Sequence, residues 1–351
     1  MINIDGSIGE GGGQVLRVCL ALSALTGESV AIKNVRVNRA NPGLRPQHLT
    51  AIRALAEVAN AKTSGLDLGS SEVTFVPGRM RGGIYSFDAK TAGSTTLILQ
   101  ALLPVLAFVD QPSSVTLIGG TNNPLAPQVD YVINVLNPVL ASMGFFYELR
   151  LIKRGFYPRG GGVLKVVVTP VERLTAINVI SMGSLRDIKG ISHSRNLQAH
   201  VAERQAEAAT QSCARAGYPN VSIERDSDQK EENPSTGSGI VLWAETSTGG
   251  RLAGDALGAR GKPAELVGRE GAGRLLTQLS KGAPFDVHLG DQLVIWLALA
   301  EGRSRIAISK LTLHTVTALK VTEMLAGCRF KISGEVGGPG VIDCAGGITP
   351  R

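Results

Sequence analysis

One order of elements recurs three times along this 351-residue chain, and that recurrence limits the fold more than any single motif does. "GEGGGQVLRVCLALSALTG" sets a glycine loop before a run with Val15, Leu16, Cys19 and Leu22 at helical spacing, which predicts a helix of about 13 residues. Strand-like alternation over Ser29 to Asn38 follows, then a second helix through Leu49, Ile52, Leu55, Ala56 and Ala59. The same order returns at "AGSTTLILQALLPVLAF", "SSVTLIGGTNN", "APQVDYVINVLNPVLASMG" and the strands "FFYELRLI" and "GGVLKVVVTP". It returns again at "DQLVIWLALA", "SRIAISKLTLH", "TVTALKVTEMLAG" and "CRFKISGEV". The fold class implied is α+β, with three repeated α/β units, each of two helices on a four-stranded sheet, in one large domain.

The spacing of the copies adds a second constraint. First helices open near Gln14, Ser94 and Asp291, so the second interval, 197 residues, exceeds the first, 80, by 117. Something is inserted in the third copy. Residues 183–284 fit such an insert, with an amphipathic helix "AHVAERQAEAATQSCARAG", strands "NVSIER" and "GIVLWAET", and a second helix "PAELVGREGAGRLLTQLS". Inside it, "DSDQKEENPSTGSG" is polar and turn-rich and reads as a mobile loop. The division expected is a discontinuous large domain, 1–182 and 285–351, and a small α/β insert domain, 183–284.

Lys plus Arg number 36 against 29 Asp plus Glu, a formal charge of +7, which suits a polyanionic partner such as nucleic acid and equally serves as a solubility device. Cys19, Cys213, Cys328 and Cys344 are widely spaced with no CxxC pair. Neither a zinc knuckle nor a disulfide framework is indicated, and a reducing cytoplasm fits. Residues 1–25 lack a basic leader before an apolar run, and the most apolar stretch, Leu97 to Val109, is shorter than the ~20 residues of a spanning helix. No membrane span is predicted.

Two glycine loops run into helix starts, "GEGGGQ" ending at Gln14 and "TAGSTT" before Leu97; such ends expose unpaired N–H groups that suit phosphate, although turn-making alone explains the glycines as well. Neither is a P-loop, because no GxxxxGK[ST] occurs. Arg36, Arg39 and Arg45 surround a Pro-Gly turn ahead of a helix with His48 at its entrance, an arrangement that grips phosphate through paired donors or is simply solvated charge. His193 and His200 stand seven apart without a flanking cysteine, which argues against zinc. His314, with Thr312, Thr315 and Thr317 beside it, falls where strand-like alternation gives way to a helix. A lone histidine at such a place is more often structural, yet a neutral imidazole near pH 7 is a competent nucleophile toward phosphorus.

Taken together, "GEGGGQVLR", "NRANPGLRPQHLTA", "AGSTTLILQALLP", "GGTNNPLAPQVDY", "GFYPRGGG", "HVAERQ", "HLGDQL" and "LHTVTALKV" resemble the RNA 3′-terminal phosphate cyclase family in order and spacing, over essentially the whole chain. The resemblance implies three repeated units plus a thioredoxin-like insert, and a ligase chemistry in three steps. A histidine attacks the α-phosphorus of ATP and keeps AMP. The AMP passes to an RNA 3′-phosphate, giving RNA(3′)pp(5′)A, and the ribose 2′-OH then closes a 2′,3′-cyclic phosphate. By this resemblance His314 is the nucleophile; Gln100, Pro127, His288, Leu289, Gly290, Asp291 and Gln292 surround ATP, with Pro127 and His288 flanking adenine. The family often has tyrosine where His288 stands. Glu10 matches a metal-binding carboxylate for Mg²⁺ or Mn²⁺, and Arg17, Arg36 and Arg39 match residues that hold the RNA phosphate or the ATP tail. The partners implied are ATP and RNA 3′-phosphate ends, with no membrane; a homodimer is compatible with the reading.

Three other readings share some of these features. A cyclase-like factor in ribosomal RNA processing shares the fold but lacks the nucleophilic histidine, which is present here as His314. Enolpyruvyl transferases are built from similar units but have no insert of this kind. A pure RNA-binding module would use base-stacking aromatics, and only 4% of residues are aromatic.

Overall fold

A computed structural model describes residues 1–228 and 235–351 as a mixed α+β protein. Strand β1 (Ile2–Asp5) runs parallel to β2 (Val30–Lys33), which pairs antiparallel with β4 (Val73–Val76), and β4 with β3 (Lys62–Ser64). Parallel neighbours need a crossover, supplied here by α1 (Gly13–Thr26); α2 (Pro46–Val58) joins β2 to β3. The second sheet repeats those directions: β5 (Ile84–Asp88) parallel to β6 (Ser113–Gly119), then β8 (Gly162–Val168) and β7 (Tyr147–Lys153), both antiparallel. Its helices are α3 (Thr95–Leu106), α4 (Val129–Tyr131) and α5 (Asn137–Ser142).

A short β9 (Leu174–Thr175) and β10 (Asn178–Val179) lead to a separate sheet of β11 (Leu185–Arg195), β12 (Val221–Asp228), β13 (Gly237–Thr246) and β14 (Arg251–Leu257), in the order β12-β11-β13-β14. Helices α6 (His200–Arg215) and α7 (Ala264–Leu279) pack with this sheet around a core of their own, including Ile188, Cys213, Ile240, Leu242 and Leu275. The chain then continues through α8 (Leu289–Gln292), α9 (Val294–Leu299), β15 (Ala300–Glu301), β16 (Ser304–Ile308), α10 (Leu313–Ala326), β17 (Phe330–Gly334) and β18 (Gly340–Cys344). β10 runs parallel to β16, followed by antiparallel β18 and β17, so this sheet has the same pattern of directions as the first two. The larger core joins residues of all three, among them Leu22, Phe75, Leu102, Phe145, Trp296 and Leu319.

Several boundaries differ from the sequence expectation. The strand read over Ser29 to Asn38 stops at Lys33, because Asn34 (φ 54°) and Arg36 (φ 54°) turn the backbone into the left-handed region. The helix read across "APQVDYVINVLNPVLASMG" is interrupted by a wide turn at Val132–Leu136, where the Asn137 N–H reaches Val132 O and Pro138 has no N–H to donate. "DQLVIWLALA" forms two short helices instead of one, and β11 and β14 were not read from the sequence. The alternating strand before His314 ends at Ile308, so His314 lies in the first turn of α10. Of the loop read over 226–239, β12 extends to Asp228 and β13 begins at Gly237, while 229–234 lie outside the described residues. Among the described residues no helix is long and apolar enough to cross a membrane.

Candidate active site

Helix α10 starts sharply because Thr312, in extended conformation, accepts the Thr315 N–H on its side chain at 3.0 Å. That cap presents His314 at the helix start, half exposed. Its Nδ1 lies 2.8 Å from Gln14 Oε1, and its Nε2 lies 2.5 Å from Glu10 Oε2. Gln14 is buried at the start of α1, and its Nε2 donates to Asp291 Oδ2 at 2.8 Å. Because the carboxylate can only accept, the Gln14 amide must present oxygen to the histidine. His314 Nδ1 is therefore the N–H of the ring, and Nε2 carries the reactive lone pair whenever the ring is neutral. Burial pushes the His314 pKa below its ordinary value; Glu10 opposes this, and Arg17, Arg39 and His288 add to the lowering.

The glycine loop lets these groups approach. Gly9 has φ +62°, and a Cβ there would sit 2.0 Å from Thr317 Oγ1 on α10; one on Gly12 would sit 2.7 Å from Arg39 Nη2. The Glu10 N–H donates to Thr317 Oγ1 at 3.3 Å, and Arg39 pairs with the Glu10 carboxylate. Arg17, on α1, donates from Nε to Gln100 Oε1 on α3 at 3.1 Å. Burial lowers its pKa to about 10, with the charges of Asp291 and Glu10 resisting, so it stays a cation. Burial likewise raises the Asp291 carboxyl to about 6.

Glu10, Arg39, His314 and Asp291 thus form one connected group, Asp291 through Gln14, and the Arg17–Gln100 pair is coupled to it by the charge of Arg17 acting with Asp291 and Glu10. Others of the sequence-derived set stand apart from it. Arg36 spends Nη1 on the carbonyls of Asn41 (2.9 Å) and Gly43 (2.8 Å) in its own loop. Pro127 is tied to the start of α3, its carbonyl accepting from Thr96 Oγ1 at 2.8 Å. Leu289 is part of the larger core, Gly290 packs beside Thr315, and Gln292 is buried in α8. His288 is exposed, with the ring of Tyr131 edge-on to it at 6.1 Å.

Three residues were not singled out from sequence. Gln14 carried one weak signal, a polar side chain where a buried helix face begins. Asp286 and Tyr131 carried none: fully buried Asp286 accepts from Tyr131 Oη (2.9 Å) and from the His288 (2.8 Å) and Leu289 (2.9 Å) N–H groups, which fixes the start of α8. His48, placed only at a helix entrance, accepts the Arg45 N–H on Nδ1 at 3.1 Å. Burial, with Arg36, Arg17 and Arg45, pushes its pKa down to about 3, so it is neutral.

Among the described residues no three His, Cys, Asp or Glu side chains gather into a metal cage. Mg²⁺ at nucleotide sites needs only one or two carboxylates together with substrate phosphates, and the Glu10 carboxylate, facing the His314 ring, suits that mode.

The model of the family described as RNA 3′-terminal phosphate cyclase matches residues 8–332. The chain belongs to the RNA 3′-terminal phosphate cyclase family. Similar proteins of that name include those of Caldivirga maquilingensis, 49% identical over 92% of this chain and 92% of the relative, and Staphylothermus marinus, 47% identical over 100% and 99%. The RNA 3′-terminal phosphate cyclase of Pyrococcus furiosus is 48% identical over 97% of this chain and 98% of its own. A solved enolpyruvyl transferase, NikO of Streptomyces tendae, aligns at a TM-score of 0.38 and 11% identity over 97% of this chain and 47% of that one, too low to bear on the reading.

Proposed function

We propose that the protein is an ATP-dependent RNA 3′-terminal phosphate cyclase, a ligase forming a phosphoric ester bond, with His314 as nucleophile. The observation that carries this is the pair of contacts on one imidazole: Nδ1 held as a donor by Gln14, and Nε2 turned to the Glu10 carboxylate. A histidine so held has one defined nucleophilic atom. Nε2 faces Oε2 at 2.5 Å, and it is a nucleophile whenever the ring is neutral. Glu10 would hold Mg²⁺ or Mn²⁺, which when bound supplies charge neutralisation at the nucleotide phosphates. With its carboxylate so engaged, Glu10 stops favouring the protonated ring.

Nε2 would attack the α-phosphorus of ATP, expelling pyrophosphate and leaving AMP on the ring. Arg17 and Arg39 supply cationic donors for the phosphates, with Gln100 orienting Arg17. Pro127 and His288 would flank adenine, with Leu289, Gly290, Asp291 and Gln292 shaping the wall behind it. AMP transfer to the RNA 3′-phosphate converts a poor leaving oxygen into a good one, and the neighbouring 2′-OH then attacks that phosphorus, breaking the anhydride bond and releasing AMP as the ring closes. Arg36 would act on the RNA phosphate only through the groups its own loop leaves free.

We read the three sheets of matching strand direction as three copies of one unit, and the fourth sheet as a thioredoxin-like insert. The large domain is then 1–182 with 285–351, and the insert 183–284. A cytoplasmic enzyme acting on free RNA ends fits this reading. The test is incubation with α-labelled ATP and a divalent metal, followed by a denaturing gel. Label should be covalent, acid-labile and alkali-stable, and absent in His314→Ala. Label retained by that variant would overturn the assignment.

A further inference from the structure

The two sides of the proposed adenine cleft are each held, from one or two residues away, by the same strand of the fourth sheet. Gln128 follows Pro127 and is fully buried; its Nε2 donates to Asp255 Oδ2 at 2.9 Å, and its Oε1 accepts from Asn122 Nδ2 at 2.9 Å. Asp286 stands two residues before His288, also fully buried, and its Oδ2 accepts the Ala253 N–H at 2.9 Å. Ala253 and Asp255 both lie on β14, two residues apart.

β14 is the last strand of its sheet, so one row of its backbone groups has no strand neighbour and must find other partners. Phe285 and Asp286 run along that row: the Asp286 N–H donates to Arg251 O at 3.3 Å, and Phe285 bridges both Arg251 and Ile308 of β16. Tyr131 closes the triangle, reaching from the turn after Gln128 to Asp286 Oδ1 at 2.9 Å. Buried polar groups with every partner in place hold a single arrangement, because any shift leaves one unsatisfied in a dry setting.

We propose that strand β14 of the insert sets the width of the nucleobase cleft, with Gln128, Tyr131 and Asp286 as positioning residues that fix Pro127 and His288 relative to each other. This rests on the nucleotide reading of the site. None of Gln128, Tyr131 or Asp255 touches the Glu10–His314–Gln14 group, so loosening the triangle acts on nucleotide affinity and base choice and spares the rate at saturation.

The experiment measures self-labelling of full-length protein against ATP and GTP concentration, for wild type, Gln128→Leu, Tyr131→Phe and Asp255→Ala. Asp255→Ala is the decisive variant, since its side chain belongs to the insert. Each variant should raise the KM for ATP about 5- to 30-fold and erode the preference for ATP over GTP about tenfold, with the saturating rate within about threefold of wild type. The double variant Gln128→Leu/Asp255→Ala should be no worse than the more impaired single, because Gln128→Leu already removes the contact that Asp255→Ala deletes. Wild-type KM and selectivity in all three singles would overturn the proposal, as would a lowered saturating rate at unchanged KM. If Gln128→Leu fails to fold, Tyr131→Phe, which loses a single hydroxyl, and Asp255→Ala still decide. Wild-type protein that takes no label would overturn the nucleotide reading itself, and this proposal with it.

Discussion

His314 Nδ1 meets Gln14 Oε1 at 2.8 Å across 300 positions of sequence, so the start of α1 orients the ring at the start of α10. Removing that acceptor frees the ring to rotate and to exchange tautomers, which scatters the reactive nitrogen. Gln14→Leu should therefore cut the single-turnover labelling rate by about 10- to 100-fold while leaving the melting transition close to wild type, as loss of an orienting contact does at other imidazole sites. Rapid-quench labelling and circular dichroism melts would check both halves. Full activity in Gln14→Leu would remove the orienting role.

Protonation of the same ring should be visible in pH dependence. Burial, Arg17 and Arg39 hold the His314 pKa below its ordinary value of 6.5 while Glu10 opposes them. The acid limb of labelling should consequently fall below pH 6.5, since the neutral ring is the reactive form. Glu10→Gln deletes the opposing charge and should lower the pKa further, read from the imidazole proton shifts in NMR titrations. A rise on removing Glu10 would contradict the pairing.

Asp291 gives a stability prediction of defined sign. Burial raises its carboxyl from 3.8 to about 6, so between those values the folded chain keeps a proton that the unfolded chain has lost. The stabilising contribution is full below pH 3.8 and is lost as pH rises through about 6. Asp291→Asn carries no such penalty and should gain on wild type by about 2 kcal/mol between pH 4 and pH 7, measured as the change in urea unfolding free energy. A difference that stays constant with pH would show that Asp291 is not held protonated by the fold.

How much of this was open to reading follows from where the determinants lie. Helices α1, α2, α3 and α10 announce themselves through apolar residues three and four apart, and three of them begin just after Gly12, Ser94 or Thr312. Strand β11 does not: in "LRDIKGISHSR" the apolar residues Leu185, Ile188 and Ile191 come every third position instead of every second, and it becomes a central strand only because β12 and β13 flank it. The Gln14–Asp291 contact spans 277 positions and Gln128–Asp255 spans 127, distances over which periodicity carries no information. Glu10, Arg39 and His314 could be named from motifs, but their mutual contacts depend on how the first sheet and the α10 unit pack together.

The buried Arg154–Asp130 pair offers a test of a different packing, that of the second unit against β12. Arg154 Nη1 and Nη2 bond the two Asp130 oxygens at 2.7 and 2.9 Å with both side chains almost completely buried, and Arg154 Nε also reaches Asp226 of β12 at 3.0 Å. Removing Arg154 strands the Asp130 charge, and removing Asp130 leaves Arg154 with Asp226 in place of two buried partners. Arg154→Met alone should cost about 3–5 kcal/mol, and Asp130→Leu a similar amount, whereas the double variant should cost clearly less than their sum. Urea unfolding of the three variants measures the coupling; simple additivity would mean the two charges do not depend on each other.

The order of chemical steps is tested by the sugar at the RNA end. An RNA with a 3′-phosphate should be cyclised, the same RNA with a 3′-OH should not react, and one with a 3′-phosphate on a terminal 2′-deoxyribose should stop at the adenylated anhydride. The deoxy end still offers a phosphate to accept AMP from His314, but it lacks the internal hydroxyl whose closeness to phosphorus, an effective molarity on the order of 10⁵ M or more, drives ring closure. Arg17 and Arg39 meet phosphates and not bases in this scheme, so the reaction should depend weakly on RNA sequence and fall as salt rises. Chromatography of the digested termini decides it. Anhydride accumulating on the deoxy substrate supports AMP transfer before ring closure, whereas unmodified deoxy ends beside cyclised ribose ends would mean that the 2′-OH is required before AMP leaves the histidine.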